Sequence, residues 1–178
     1  MATRERVRLP PSVFRLPVEK IRDGYYTDTY FNLTKQLLEA DDHHPRVLMQ
    51  VFQRKESILG GVDEAIAVLK QGAGHYEGDL WVPGWENLEV KALHEGDEIS
   101  PWETVMTIEG DYSEFAHLET VYLGVMARRT PQRSSPSASA TSRAVRTESL
   151  TKSTSTVTFM SRAKRSANLR AASAVSPW

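Results

Sequence analysis

The feature that most limits what this chain can fold into is a change of texture at Pro131. All ten glycines and all five histidines precede it. Residues 131–178 hold twelve Ser, eight Ala, six Thr and eight Lys/Arg, with no Gly, no Asp and a single acid, Glu148. The apolar residues left there, among them Val145, Leu150, Val157, Phe159, Met160 and Leu169, are too sparse to bury a face. Such a composition cannot offset the entropy of ordering, about 1–2 kcal/mol per residue for the backbone alone, and predicts a disordered tail. Charge divides at the same point: the net −1 is made of about +7 in the tail and about −8 in residues 1–130. Residues 1–130 are therefore read as the folded domain and 131–178 as a basic low-complexity extension.

Within the domain, hydrophobic spacing sets the elements. Residues 1–20, broken by Pro10, Pro11 and Pro17, read as an extended lead-in. Tyr26, Tyr30, Leu33 and Leu37 recur at helical spacing and predict a helix from about Thr27 to Ala40 with one apolar stripe. Thr27 or Asp28 can cap it, and Pro45 stops it at the Asp41-Asp42-His43-His44 turn. Val47–Phe52 is a short apolar run typical of a buried strand. Gly60-Gly61 breaks the chain before a second helix, Val62 to Gln71, and residues 72–88 read as a connection. Leu88–Leu93 and Val105–Glu109 predict strands, with Glu95-Gly96-Asp97 as a turn. Asp111 and Glu114 have capping-box spacing before a third helix, whose apolar face is Phe115, Leu118, Tyr122 and Met126. Gly124 inside that helix suggests close packing. The order is that of an α+β domain.

Several function classes fall away. The chain has no cysteine, so disulfides and Cys-based zinc are excluded. The N-terminal residues lack the apolar core of a secretory signal, and no run of about 18 apolar residues exists, so cytoplasm is expected and no membrane span. No glycine-rich phosphate loop is present. Asp41-Asp42-His43-His44 resembles a metal cluster on paper, but adjacent side chains diverge, so a solvated loop is expected and no metal site. The basic tail has no stacking platform beyond Phe159 and Trp178, so no specific nucleic-acid recognition is expected.

Four stretches occur in a telling order. They are Thr27-Asp28-x-Tyr30, Met49-Gln50-Val51-Phe52-Gln53, the segment from Glu95 to Thr104, and the helix from Tyr112 to Thr130. Together, over about residues 18–130, they resemble the N-terminal domain of the nicotinate phosphoribosyltransferases. The resemblance implies a hammerhead-type α+β domain of the nicotinate/quinolinate phosphoribosyltransferase class, followed in the family by a barrel. It implies ATP-coupled condensation of nicotinate with phosphoribosyl pyrophosphate, requiring magnesium, to give nicotinate mononucleotide in NAD biosynthesis. It also implies a homodimer in which Tyr30 stacks on the pyridine ring across the interface, with Asp28, Thr27 and Tyr25 beside it. From periodicity alone, Tyr30 reads first as a core residue of the Tyr26, Leu33 and Leu37 stripe, and Asp28 is equally a helix cap. Glu119-Thr120 matches a structural pair of the family.

Catalytic and phosphate-binding residues, and the family's phosphorylated histidine, would belong to the barrel. No catalytic residue is therefore assigned in residues 1–130, no cofactor is expected to be bound by them, and the chain alone is expected to be inactive. Without the barrel, the third helix would leave an apolar face uncovered. The departure from the family pattern falls inside a helix, at Arg129-Thr130, which suggests a frame-shifted or otherwise aberrant end. Glu95–Gly110 also resembles the hairpins of biotinyl-type carriers, but it lacks the exposed lysine such carriers need. The alternative of a different class is a non-catalytic hammerhead-type binding module with a disordered basic tail.

Overall fold

A computed structural model describes residues 6–131 and 159–165. The lead-in is shaped by its prolines: a 3-10 turn spans Pro11–Val13, and α1 spans Val18–Arg22, where an extended segment was expected. Next come α2 (Thr29–Ala40), β1 (Arg46–Gln53), β2 (Ser57–Ile58) and α3 (Val62–Gly72). A hairpin follows, β3 (Gly74–Glu77) and β4 (Leu80–Pro83), inside the stretch read as a plain connection. Its turn holds Gly78 at φ 62, a left-handed conformation glycine adopts without strain. Then come β5 (Glu89–Ala92), β6 (Glu98–Ile99) and β7 (Thr104–Asp111). The third helix is split: α4 (Tyr112–Phe115), a 3-10 turn over Ala116–Leu118, and α5 (Glu119–Arg129). β8 (Phe159–Arg165) closes the order.

The main sheet runs β5-β7-β1-β8, with each neighbouring pair antiparallel. Alternation along β1 buries Val47, Met49, Val51 and Gln53, the face that meets the helices. The register of β1 and β7 slips between Val51 and Phe52, leaving Val105 as an extra residue. That bulge lets the adjacent Val105 and Met106 both be buried. Val62, Val68 and Leu69 of α3, with Tyr122 and Met126 of α5, complete the core. Burying each such aliphatic side chain contributes about 1.5–3 kcal/mol.

The Phe115, Leu118, Tyr122 and Met126 face is thus fully packed inside the domain. The uncovered apolar face belongs instead to α2. Gly124 faces open space, so it marks no close packing. Close approach occurs at Gly60, where a Cβ would lie 2.4 Å from Arg129 O. The carrier-like segment is no hairpin: β6 pairs with β2 while β7 pairs with β1. Within the tail read as disordered, Phe159–Arg165 instead forms β8, because an open sheet edge recruits a strand through its backbone groups whatever the composition. The rest of the expected tail lies outside the described residues. Among the described residues, no helix is long and apolar enough to cross a membrane.

Candidate functional site

The candidate site is the start of α2. Asp28 is the N-cap: its carboxylate accepts from Tyr30 N at 3.0 Å. Its own backbone N–H donates to Thr120 Oγ1 at 3.1 Å, and the Thr27 hydroxyl donates to His117 O. These bonds fasten the head of α2 to the head of α5. Thr27 and Asp28 therefore both spend side-chain atoms on holding the helix, while Thr120 receives the Asp28 N–H and His117 O the Thr27 hydroxyl, links that helical spacing does not reveal.

With the helix held, Tyr30 on it and Tyr25 just before it face outward. Tyr30 is 67% exposed and Tyr25 71% exposed. Leu33 and Leu37 continue the exposed face, while Lys35 is buried against α4 and the preceding hairpin. The stripe expected to enter the core is therefore the solvent face of α2, and Tyr30 is not a core residue. Tyr30 meets Phe31 edge to face at 5.3 Å, and Tyr25 meets Tyr26 likewise at 5.0 Å. The Lys20 ammonium stands 5.3 Å over the Tyr25 ring. The arrangement leaves the Tyr30 and Tyr25 rings open to a second molecule, with a cation over Tyr25.

The inner face of α2 carries groups that no motif announced. Lys35 Nζ donates to Gly74 O and Ser113 O, each at 2.8 Å, and pairs with Glu39 at 2.9 Å. His117 is buried, and its imidazole is pushed down to about 3, first by burial and then by the Lys35 charge. Tyr112 OH donates to Glu119 at 3.2 Å, and burial pushes the Tyr112 phenol up. The Asp-Asp-His-His turn is a tether: His44 Nδ1 lies 2.7 Å from Asp111 and Nε2 lies 3.3 Å from Asp42. Those two carboxylates, Asp111 first, raise the His44 pKa.

Two kinds of place bear on the magnesium and polyphosphates implied by the resemblance: carboxylate clusters and helix N-termini among the described residues. No group of three or more His, Asp or Glu among them could hold a metal ion. The N-terminus of α3, a natural anion site, is filled from within: Glu95 accepts from Gly61 N at 3.0 Å and from Asp63 N at 3.1 Å. The head of α2 is likewise occupied by Asp28.

Comparison with known proteins follows the same outline. The family described as quinolinate phosphoribosyl transferase, N-terminal domain, matches residues 28–130. A nicotinate-nucleotide pyrophosphorylase from Pyrococcus furiosus is 32% identical, with 64% of this chain and 27% of that one covered and a TM-score of 0.48. NadC from Streptococcus pyogenes is 16% identical, with 68% and 38% covered and a TM-score of 0.48. Human nicotinic acid phosphoribosyltransferase is 14% identical, with 57% and 25% covered and a TM-score of 0.45. The chain thus spans well under half the length of each of these structures. No curated protein matches the sequence. The family match takes in more than half of the chain, from the Asp28 cap to the end of α5, and the chain belongs to the quinolinate phosphoribosyltransferase N-terminal domain family.

Proposed function

We propose that this domain supplies one wall of a pyridine-carboxylate pocket in a phosphoribosyltransferase of NAD biosynthesis, with nicotinate as the substrate. The observation that carries the reading is Tyr30, exposed at the capped head of α2 inside the family-matched segment. A flat electron-poor ring stacks on such a surface, with a gain of about 0.5–1.5 kcal/mol beyond area burial. Tyr25 extends the surface, and Lys20 over its ring stands ready for a carboxylate. Asp28 and Thr27 act through the helix they hold.

In the reaction, the pyridine nitrogen lone pair forms a bond to the sugar C1, and the C1–oxygen bond to pyrophosphate breaks with its electrons leaving on pyrophosphate. Orienting the ring nitrogen in line is the part an aromatic wall performs. ATP, magnesium and phosphoribosyl pyrophosphate would be held outside the described residues, so the chain alone is expected to form no nicotinate mononucleotide. The exposed face of α2 would be covered by a second subunit, giving the homodimer that the resemblance implies.

The test begins with the encoding DNA read in its other frames past codon 130. Where a barrel pattern resumes, the repaired protein is assayed with nicotinate and with quinolinate. Turnover of nicotinate is expected, and Tyr30→Ala should raise KM for it about three- to tenfold with kcat little changed. Turnover of quinolinate alone would overturn the nicotinate assignment, and an unchanged KM would remove Tyr30 from the pocket.

One observation favours a second reading. β8 covers the outer edge of β1 with the chain's own residues, as a self-contained module would. A sound reading frame, with stoichiometric binding of a partner and no turnover, would make the non-catalytic binding module the better description.

A further inference from the structure

The turn before β7 holds a tryptophan where a glycine would fold more easily. Ser100 to Glu103 is closed by the Glu103 N–H, which donates to Ser100 O at 3.2 Å, and Pro101 leads it. Trp102 follows at φ 68, the left-handed position that such a turn ordinarily gives to glycine. The residue is 60% exposed, so burial does not offset the strain. The turn is fixed to the end of β1, where Trp102 N donates to Gln53 O at 2.7 Å. There the indole lies 5.7 Å from the Phe52 ring, with the Arg54 guanidinium 5.3 Å over it. Phe52 is half-buried, on the face of β1 opposite the buried Val51 and Gln53. A strained, exposed aromatic residue and its partner therefore mark the end of β1 at which β8 begins.

The outer edge of β1 already shows what it accepts. β8 pairs with it antiparallel through seven successive residues, from Gln53 with Phe159 to Val47 with Arg165, without a register shift. Phe159 and Met160, the two large apolar residues of β8, take the register positions at the aromatic end. The cations Arg162, Lys164 and Arg165 follow along the edge. Ser161, Ala163 and those cations are poor strand formers, so the open backbone groups of β1, more than local propensity, account for the pairing. Residues 1–130 carry about −8, and the field of the domain favours a basic strand over an acidic one.

We propose that the outer edge of β1 is a strand-addition site for an extended basic segment of another protein, one that opens with two large apolar residues set beside Phe52 and Trp102, and that β8 is the chain's own competitor for it. In such additions main-chain hydrogen bonds supply affinity, and the side-chain positions supply selection. Tethered through residues 132–158, β8 acts at an effective concentration on the order of 1 mM and masks the edge until it is displaced. The site lies on the sheet and is independent of the pyridine pocket proposed at α2.

The probe is a fluorescein-labelled peptide of residues 157–167, added to the full chain as it stands and to the full chain with Arg162→Pro and Ala163→Pro together, which takes β8 off the edge. The opened chain should bind the peptide at least about tenfold more tightly than the wild type. A peptide with Phe159→Ser and Met160→Ser, and one with Arg162→Glu, Lys164→Glu and Arg165→Glu, should each bind the opened chain about tenfold more weakly than the parent. Trp102→Gly in the opened chain, which relieves the turn, should weaken binding of the parent peptide and leave that of the serine peptide where it was. The proposal is overturned if an opened chain with protected β5–β7 amides binds nothing, or if wild type and opened chain bind alike. It is also overturned if either substituted peptide binds as well as the parent, or if Trp102→Gly changes nothing. If the double proline loses the β5–β7 protection, the full chain with Arg162→Glu, Lys164→Glu and Arg165→Glu opens the edge from outside residues 1–130, and the same outcomes decide.

Discussion

Tyr30 and Asp28 sit two residues apart and should behave oppositely in the folded state. Tyr30 is exposed and touches mainly Phe31, so Tyr30→Ala should change stability by less than about 0.5 kcal/mol. Asp28 is the cap of α2, and Asp28→Ala should cost about 1 kcal/mol. Urea melts of the two variants check the contrast; equal losses would mean that Tyr30 packs where the structure leaves it open. His117 adds a pH dependence with a definite sign. Its folded pKa, about 3, lies below its ordinary 6.5, so the unfolded chain binds the extra proton. Its contribution is therefore fully present above pH 6.5 and is lost as pH falls towards 3, by about 2 kcal/mol between pH 7 and 5. Melts of the wild type and His117→Gln across that interval should show the slope in the first and its loss in the second. His44 has the opposite sign: its raised pKa favours the folded state below pH 6.5, and that small, solvent-screened contribution fades as pH rises through the raised value.

At the scale of elements, α3 depends on a residue far from it in sequence. Both carboxylate oxygens of Glu95 accept N–H groups at its first turn, while Gly61, at φ 81, turns the chain into the helix. Glu95→Ala should cost about 1–2 kcal/mol and Glu95→Gln roughly half as much, by equilibrium unfolding. Asp63 and Glu64 are acids of its first turn, but the cap comes from elsewhere, and nothing in local spacing says that the turn before β6 folds back on Gly61. The β3–β4 hairpin was missed for a related reason. Its strands are four residues each and only Gly74 among them is buried, so they carry little alternation for a sequence reading to detect. Gly78-Asp79 at the turn was the available signal.

At the scale of the whole molecule, the sheet ends on β8, drawn from the basic extension. Proline placed in turn at Arg162 and Ala163 must in one case remove a ladder N–H facing β1. Hydrogen exchange of alternate β1 amides should then accelerate, while the β5–β7 ladder stays protected. Unchanged exchange in both variants would show that β1 keeps a free edge.

The sequence by itself determined the α+β order, the strands through Val47–Phe52 and Val105–Glu109, and a helix start capped at Thr27 or Asp28. Each of these is local: apolar spacing, glycine and proline positions, and capping chemistry act over a few residues. Its motifs also pointed to the family before any fold was seen. Tertiary structure alone decided which face of α2 is buried. Periodicity reports that a stripe exists but not what lies against it, and here Lys35, holding two carbonyls and Glu39, takes the inner side while Tyr30, Leu33 and Leu37 turn out. The third helix's apolar face went the other way, into the core, because α3 and the sheet were there to receive it. The buried imidazole of His117 belongs to the same class of fact, since its setting exists only where Gly72, Lys35 and Trp81 converge from three separate elements.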